Sequence, residues 1–178
     1  MADIKKVTTP LTKEQVADLK AGDSVLITGV IYTGRDAAHK NLVNALKEGQ
    51  ELPIDIKDQV IYYVGPAPAK PGQVIGSCGP TTSGRMDAYA PTLIELGLKG
   101  MIGKGPRNEK VIAAMKEHGA VYLAAIGGAA ALIARSVKKA DVVAYPELGP
   151  EAIYRLEVED FPCIVAIDSE GNNLYESY

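Results

Sequence analysis

The segment Ser77-Cys78-Gly79-Pro80-Thr81-Thr82-Ser83-Gly84-Arg85-Met86-Asp87 concentrates more chemistry than any other stretch of the chain. Two adjacent threonine hydroxyls, a guanidinium and two glycines fall within one turn. An apolar, strand-like stretch (Gln73-Val74-Ile75-Gly76) precedes it, and a helix-like stretch (Met86 to Leu96) follows. A strand–turn–helix junction of this kind aims backbone N–H groups and hydroxyls at one point, where an anion can sit. Arg85 adds a planar fork of donors that matches a carboxylate.

Three more junctions join a strand-like run to a glycine or a cation: Tyr32-Thr33-Gly34-Arg35-Asp36, Gly103-Lys104-Gly105 and Gly127-Gly128. Ligands of parallel α/β sheets bind at the carboxyl ends of strands. If these junctions share one edge, Arg35, Arg85 and Lys104 make a cationic pocket in a chain whose net charge is −3. Such a pocket suits a small di-anion better than a polymer, since each charge-assisted hydrogen bond contributes roughly 1.5–3 kcal/mol. Each residue also has a plainer reading. Arginine at a helix start is ordinarily a solvated surface group, and Lys104 between glycines is by default a loop lysine. One of Thr81 and Thr82 is expected to cap the following helix. Asp36 fits a first-turn carboxylate on the helix dipole better than a catalytic group. His39 reads as a packed or surface residue, His118 as a helix-end cap, and Cys78 and Cys163 as small buried side chains.

The elements that must position these residues follow from pattern. Thr12-Lys13-Glu14-Gln15 is a capping box opening a short helix that ends near Ala21-Gly22. Ser24 to Tyr32, rich in β-branched residues, reads as a buried strand. Arg35 to Lys47 reads as a helix with Ala38, Leu42, Ala45 and Leu46 on one face. Strands are expected at Val60–Val64, Lys99–Ile102, Ala120–Ile126, Asp141–Tyr145, Ala152–Glu159, Cys163–Ile167 and Asn173–Tyr175. Helices are expected at Arg107–His118, with Pro106 in the first turn, and at Ala129–Val137. Strand and helix alternate with short glycine turns, which argues a single α/β domain over residues 1–178 with a substantially parallel sheet.

Composition narrows the function. At 178 residues, 47% hydrophobic and 23% charged, the chain suits one well-buried core. No Lys/Arg run forms a basic stripe, so nucleic acid is not expected. No apolar stretch approaches transmembrane length, and MADIKKVTTPLTKE has no apolar core of signal-peptide type. A cytoplasmic location is expected. Two cysteines and two histidines, all widely spaced, make neither a zinc site nor the ligand set of an iron–sulfur cluster. No G-x-S-x-G elbow, Walker A loop or full dinucleotide fingerprint is present.

At these same residues the chain closely resembles the β subunit of the two-subunit, iron–sulfur-dependent class I fumarate hydratases and L-tartrate dehydratases, a module that also forms the C-terminal domain of single-chain class I fumarases. The matching runs are IYTGRDAAHK at 31–40, SCGPTTSGRMDAYAP at 77–91, Gly103-Lys104-Gly105, AVYLAAIGGAAALIA at 120–134 and RLEVEDFPCIVAIDSEGNNLY at 155–175. The resemblance implies a swivelling β/β/α-type three-layer domain with a largely parallel mixed sheet. It implies a hydro-lyase site shared with a cysteine-bearing α subunit, in a higher hetero-oligomer. A 4Fe–4S cluster would be bound by that partner and not by this chain. Arg35 and Arg85 would hold substrate carboxylates, Lys104 and Thr82 would contact the substrate, and Thr81 would be the candidate base. An unperturbed threonine is a poor base, so Thr81 would need help from a partner carboxylate. Fumarate and L-tartrate remain open as substrates. A non-enzymatic module binding small dicarboxylates is the alternative of another class.

Overall fold

The computed structural model describes residues 4–125 and 130–176. Seven strands form one mixed sheet: β1 (Ile4–Thr8), β2 (Ser24–Thr33), β3 (Val60–Tyr62), β4 (Gly100–Gly103), β5 (Val121–Ala125), β6 (Val137–Ala144) and β7 (Ile153–Ile167). Neighbours run β1-β2-β3-β4-β5-β7-β6, and β7 also pairs with β2. The ring β2-β3-β4-β5-β7 therefore closes on itself as a five-stranded barrel, with β1 and β6 added outside it. From β1 to β5 all pairings are parallel, whereas every pairing of β7 is antiparallel.

The strands split by their period of two. Val60, Tyr62, Ile102, Val121, Leu123, Leu156, Phe161 and Val165 belong to one core. Ile61, Tyr63, Met101 and Tyr122 belong to a second core, with Leu42 of α2 (Asp36–Lys47), Leu93 of α3 (Ala90–Glu95) and Met115 of α4 (Glu109–His118). The helices α1 (Lys13–Asp18) and α5 (Ala130–Ser136) complete the set. Each fully buried aliphatic side chain contributes about 1.5–3 kcal/mol, so both cores are substantial. The barrel core also holds an edge-on aromatic pair, Tyr62 and Phe161, with centroids 5.1 Å apart.

Several local signals act as expected. Thr12 and Gln15 form the reciprocal capping box, and α2 buries Ala38, Leu42 and Ala45. Gly119, left-handed at φ 77°, ends α4. Other expectations are corrected. The first helix stops at Asp18, before Ala21-Gly22. Gln73–Gly76 is not a strand. Its loop satisfies its own backbone through Gln73 N–H to Lys70 O (2.9 Å) and Ala67 N–H to Ser77 O (2.9 Å). The helix expected from Met86 to Leu96 is a 3-10 turn (Ser83–Met86) followed by α3. Asn108 caps α4 through Val111 N–H, which leaves Pro106 outside the helix. Ala152–Glu159 and Cys163–Ile167 are one strand, since β7 pairs on through Asp160-Phe161-Pro162 with a register shift against β2. The strand expected at Asp141–Tyr145 begins at Val137. Asn173–Tyr175 gives only a bridge from Asn173 to Ile167 and a 3-10 turn.

The end of β7 is locked by Asp168. Its carboxylate accepts from Ala21 N–H (3.1 Å), Glu170 N–H (3.0 Å), Asn172 N–H (3.0 Å) and Asn172 Nδ2 (3.1 Å). Burial alone would raise its pKa, but these donors more than offset that and hold it below the ordinary value. Asp168→Ala should cost about 2–3 kcal/mol, because four donors lose their acceptor. Urea unfolding checks this, and a loss under about 0.5 kcal/mol, the range of ordinary surface changes, would contradict it.

Candidate functional site

Strands β2, β3, β4 and β5 run parallel, so their carboxyl ends lie on one rim of the barrel. Arg35 follows β2, the Thr81–Arg85 turn returns to the end of β3, and Lys104 follows β4. Gly127-Gly128, after β5, lies outside the described residues.

Hydrogen bonds tie these tips together. Thr81 N–H donates to Tyr63 O (2.8 Å), which fixes the turn to the end of β3. Ser83 N–H donates to Lys104 O (2.8 Å), and Thr82 and Lys104 form a parallel bridge. A side chain at Gly103 would run into the Ser83 hydroxyl and Tyr63, so glycine is what lets the turn lie this close to β4. Arg85 Nε donates to Asp36 Oδ2 at 2.9 Å. Arg35, the N-cap residue of α2, lies beside Asp36 in sequence and passes across Gly65, where an added Cβ would sit 3.0 Å from Arg35 Cδ. The structure thus brings Arg35, Thr81, Thr82, Arg85 and Lys104 to one rim.

Some polar groups of the rim lack partners among the described residues. Arg35 Nε and Asp36 Oδ1 are buried without a hydrogen-bond partner. Arg85 is half exposed, and Thr82 and Lys104 are exposed. Lys104 has no ion-pair partner among the described residues. The Asp36–Arg85 pair is too solvated to add more than about 1 kcal/mol of stability. Its consequence is orientation, because it fixes the guanidinium by one edge. Asp36 does occupy the first turn of α2, as the dipole reading expects. Thr82 stands at the N-cap of the 3-10 turn with no side-chain cap bond, so its hydroxyl is not used as a cap. A cavity of about 870 Å³, lined by other residues, lies between the proline-rich loop and α5, with Lys70, Arg135 and Lys138 among its walls. The rim is an open edge.

The pattern reading missed the support beneath this rim. Arg107 is fully buried, with Nε donating to Asp87 Oδ1 (2.7 Å) and Nη2 to the Tyr63 hydroxyl (3.1 Å). Its guanidinium faces the rings of Tyr63 and Tyr122 at 5.1 and 4.8 Å. Asp87 Oδ2 also accepts Asn108 N–H at 2.8 Å. The expected helix over Arg107–His118 gives Arg107 no role of its own. The available signal was a set of tyrosines inside apolar strands, whose hydroxyls need buried partners.

Both cysteines are buried and unbridged. Burial pushes the Cys78 thiol up to about 12 and raises Cys163 as well. Among the described residues no three of His, Cys, Asp and Glu group to hold a metal ion. No helix among them is long and apolar enough to cross a membrane.

His39 is buried against Tyr63 and Tyr89. Its Nδ1 lies 2.8 Å from Arg35 O, and a carbonyl only accepts, so Nδ1 carries the proton and Nε2 keeps its lone pair. Burial lowers its pKa to about 4, and the Arg107 charge adds to this against the opposing Arg35 carbonyl and Asp36. The folded value lies below the unfolded one, so stability is lost as pH falls from about 6.5 to about 4. Relative to His39→Gln, the parent should lose about 3 kcal/mol across that window. Denaturant unfolding at a series of pH values checks this, and parallel curves for the two proteins would contradict it.

Residues 2–178 match the family described as "Fumarase C-terminus". The chain is 45% identical over 164 residues to "Fumarate hydratase class I, anaerobic" of Escherichia coli, covering 91% of this chain and 30% of that protein. It is 40% identical over 165 residues to "Fumarate hydratase 2" of Leishmania major, covering 92% and 29%. It is 45% identical over 172 residues to "Putative L(+)-tartrate dehydratase subunit beta" of Methanocaldococcus jannaschii, covering 93% and 88%. The chain thus spans less than a third of the fumarate hydratases and most of the subunit.

Proposed function

Because the chain belongs to the fumarase C-terminus family, we propose that it is the β component of a class I fumarate hydratase, catalysing the reversible hydration of fumarate to L-malate at a site shared with a cysteine-bearing α subunit. The observation that carries this reading is the rim itself. Two backbone hydrogen bonds and the Asp36–Arg85 bond gather three cations and two hydroxyls at one edge. That edge is open, and it leaves a buried arginine nitrogen unpartnered. A relative named as a subunit beta, covered to 88% of its length, supports a β component that works with a second subunit. We take the domain to be of the swivelling, three-layer β/β/α type and cytoplasmic. Buried free thiols fit a reducing compartment.

In this reading Arg35 and Arg85 bind the two carboxylates, and Lys104 adds charge near the one that gains electron density as the C–H proton leaves. Thr82 hydrogen-bonds the substrate. Thr81 accepts the proton at its oxygen and passes its own to a carboxylate of the partner. This chain's residues do not fit a 4Fe–4S cluster, since its cysteines are buried, protonated and not grouped. The cluster belongs to the α subunit.

L-Tartrate is the second substrate to consider, because a relative covered to 88% of its length carries that name. Anaerobic assembly with the α subunit, followed by kinetics on malate and L-tartrate, separates the two. Arg85→Ala should lower kcat/KM in the complex by about a hundredfold, the loss of one strong charge-assisted contact. Near-normal kinetics would remove Arg85 from the site. Tight dicarboxylate binding by the chain alone, with no turnover in any complex, would favour a binding module.

A further inference from the structure

Lys104 is exposed and has no ion-pair partner among the described residues, so its reach is set by its backbone. That backbone is held at four points. Ser83 N–H donates to Lys104 O at 2.8 Å, and Thr82 bridges Lys104 from the same side. Gly105, at φ +88°, then turns the chain so that its two polar groups point to different tyrosines. Its carbonyl accepts from the buried Tyr122 hydroxyl at 2.8 Å, and its N–H donates to the Tyr175 hydroxyl at 3.2 Å.

A second bond, 2.6 Å long, joins the Tyr122 and Ser83 hydroxyls. A phenol has one proton and the Gly105 carbonyl can only accept it, so Ser83 is the donor in this second bond. The contacts close a ring that runs from Lys104 O to Ser83 N–H, from the Ser83 hydroxyl to Tyr122, and from Tyr122 to Gly105. Beneath the ring, the Tyr122 face is fixed by Arg107 at 4.8 Å. The Thr81–Arg85 turn and the Lys104 tip therefore move as one unit.

We propose that Tyr122 from the inside and Tyr175 from the outside are positioning residues, clamping Gly105 so that Lys104 and the threonine turn keep one relative geometry. This rests on the reading of Lys104 as a substrate contact. Neither tyrosine needs to touch the substrate.

The test uses the chain assembled anaerobically with its α subunit, in variants Tyr122→Phe, Tyr175→Phe and Lys104→Ala and in each tyrosine change combined with Lys104→Ala. Tyr175→Phe alone should raise KM about tenfold, the factor carried by one lost hydrogen bond of ordinary strength, and Tyr122→Phe, which loses two, should raise it at least as much. Tyr175→Phe should not add to the effect of Lys104→Ala, since a residue acting only through Lys104 has nothing left to position. In the chain alone, Tyr175→Phe should speed exchange of the Gly105 amide severalfold while leaving Tm unchanged, because Tyr175 is exposed. If Tyr122→Phe does not fold, Tyr175→Phe carries the test by itself. Unchanged KM in the tyrosine variants with a raised KM in Lys104→Ala overturns the clamp and leaves the reading of the rim intact. A Tyr175→Phe effect that multiplies with that of Lys104→Ala also overturns it. Unchanged KM in Lys104→Ala removes the reading of Lys104 and the clamp together.

Discussion

A parallel strand delivers the residues that follow it only to the rim on which it ends. Here β2 to β5 run parallel, and the fifteen-residue β7 closes them into a ring by pairing antiparallel with both β2 and β5. Closure removes the two free edges that a short parallel sheet would expose. It also leaves one place where the junctions after β2, β3 and β4 can meet. The cations and hydroxyls of the rim come from residues as far apart in sequence as Arg35 and Lys104, and only this topology makes them neighbours.

The rim needs rigid support because its own contacts are weak. Exposed pairs such as Asp36–Arg85 give direction more than stability. The stronger anchoring lies one layer down, where Arg107, Asp87, Tyr63 and Tyr122 satisfy one another in the helix-facing core. A buried ion pair of this kind is weak support for stability as such, yet losing one partner costs about 3–5 kcal/mol by stranding the other charge. It holds the Thr81–Arg85 turn from below, while backbone bonds to Tyr63 and Lys104 hold it from the side.

Much of this was legible in the sequence wherever a local signal and the tertiary environment agree. The capping box at Thr12, the apolar face of α2 and the glycine after His118 all act as their chemistry dictates. The glycine- and cation-bearing junctions after β2, β3 and β4 mark the rim, because such residues are costly to place together without a use for them. Elements set by long-range pairing were not legible. Val74 and Ile75 look like a strand, but no neighbour offers them a ladder. Asp160-Phe161-Pro162 looks like a break, yet β7 continues because β2 shifts register to follow it. The short β1 has one buried side chain, Val7, and so almost no pattern. Arg107 was invisible for the opposite reason, since nothing local says that an arginine beside a proline is buried. Its partners lie 20 and 44 residues away.

The central claim is that the shared rim binds a dicarboxylate once a cluster-bearing partner covers it. The most direct measurement is the position of a bound, unreactive dicarboxylate analogue in a structure of the anaerobically assembled two-subunit complex. The analogue is predicted to lie at the subunit boundary, with one carboxylate on the Arg35 guanidinium, the other on Arg85, and the Thr81 and Thr82 hydroxyls beside its carbon chain. An analogue bound elsewhere, for instance in the cavity beside α5, and touching neither the Arg35 nor the Arg85 guanidinium, would contradict the account.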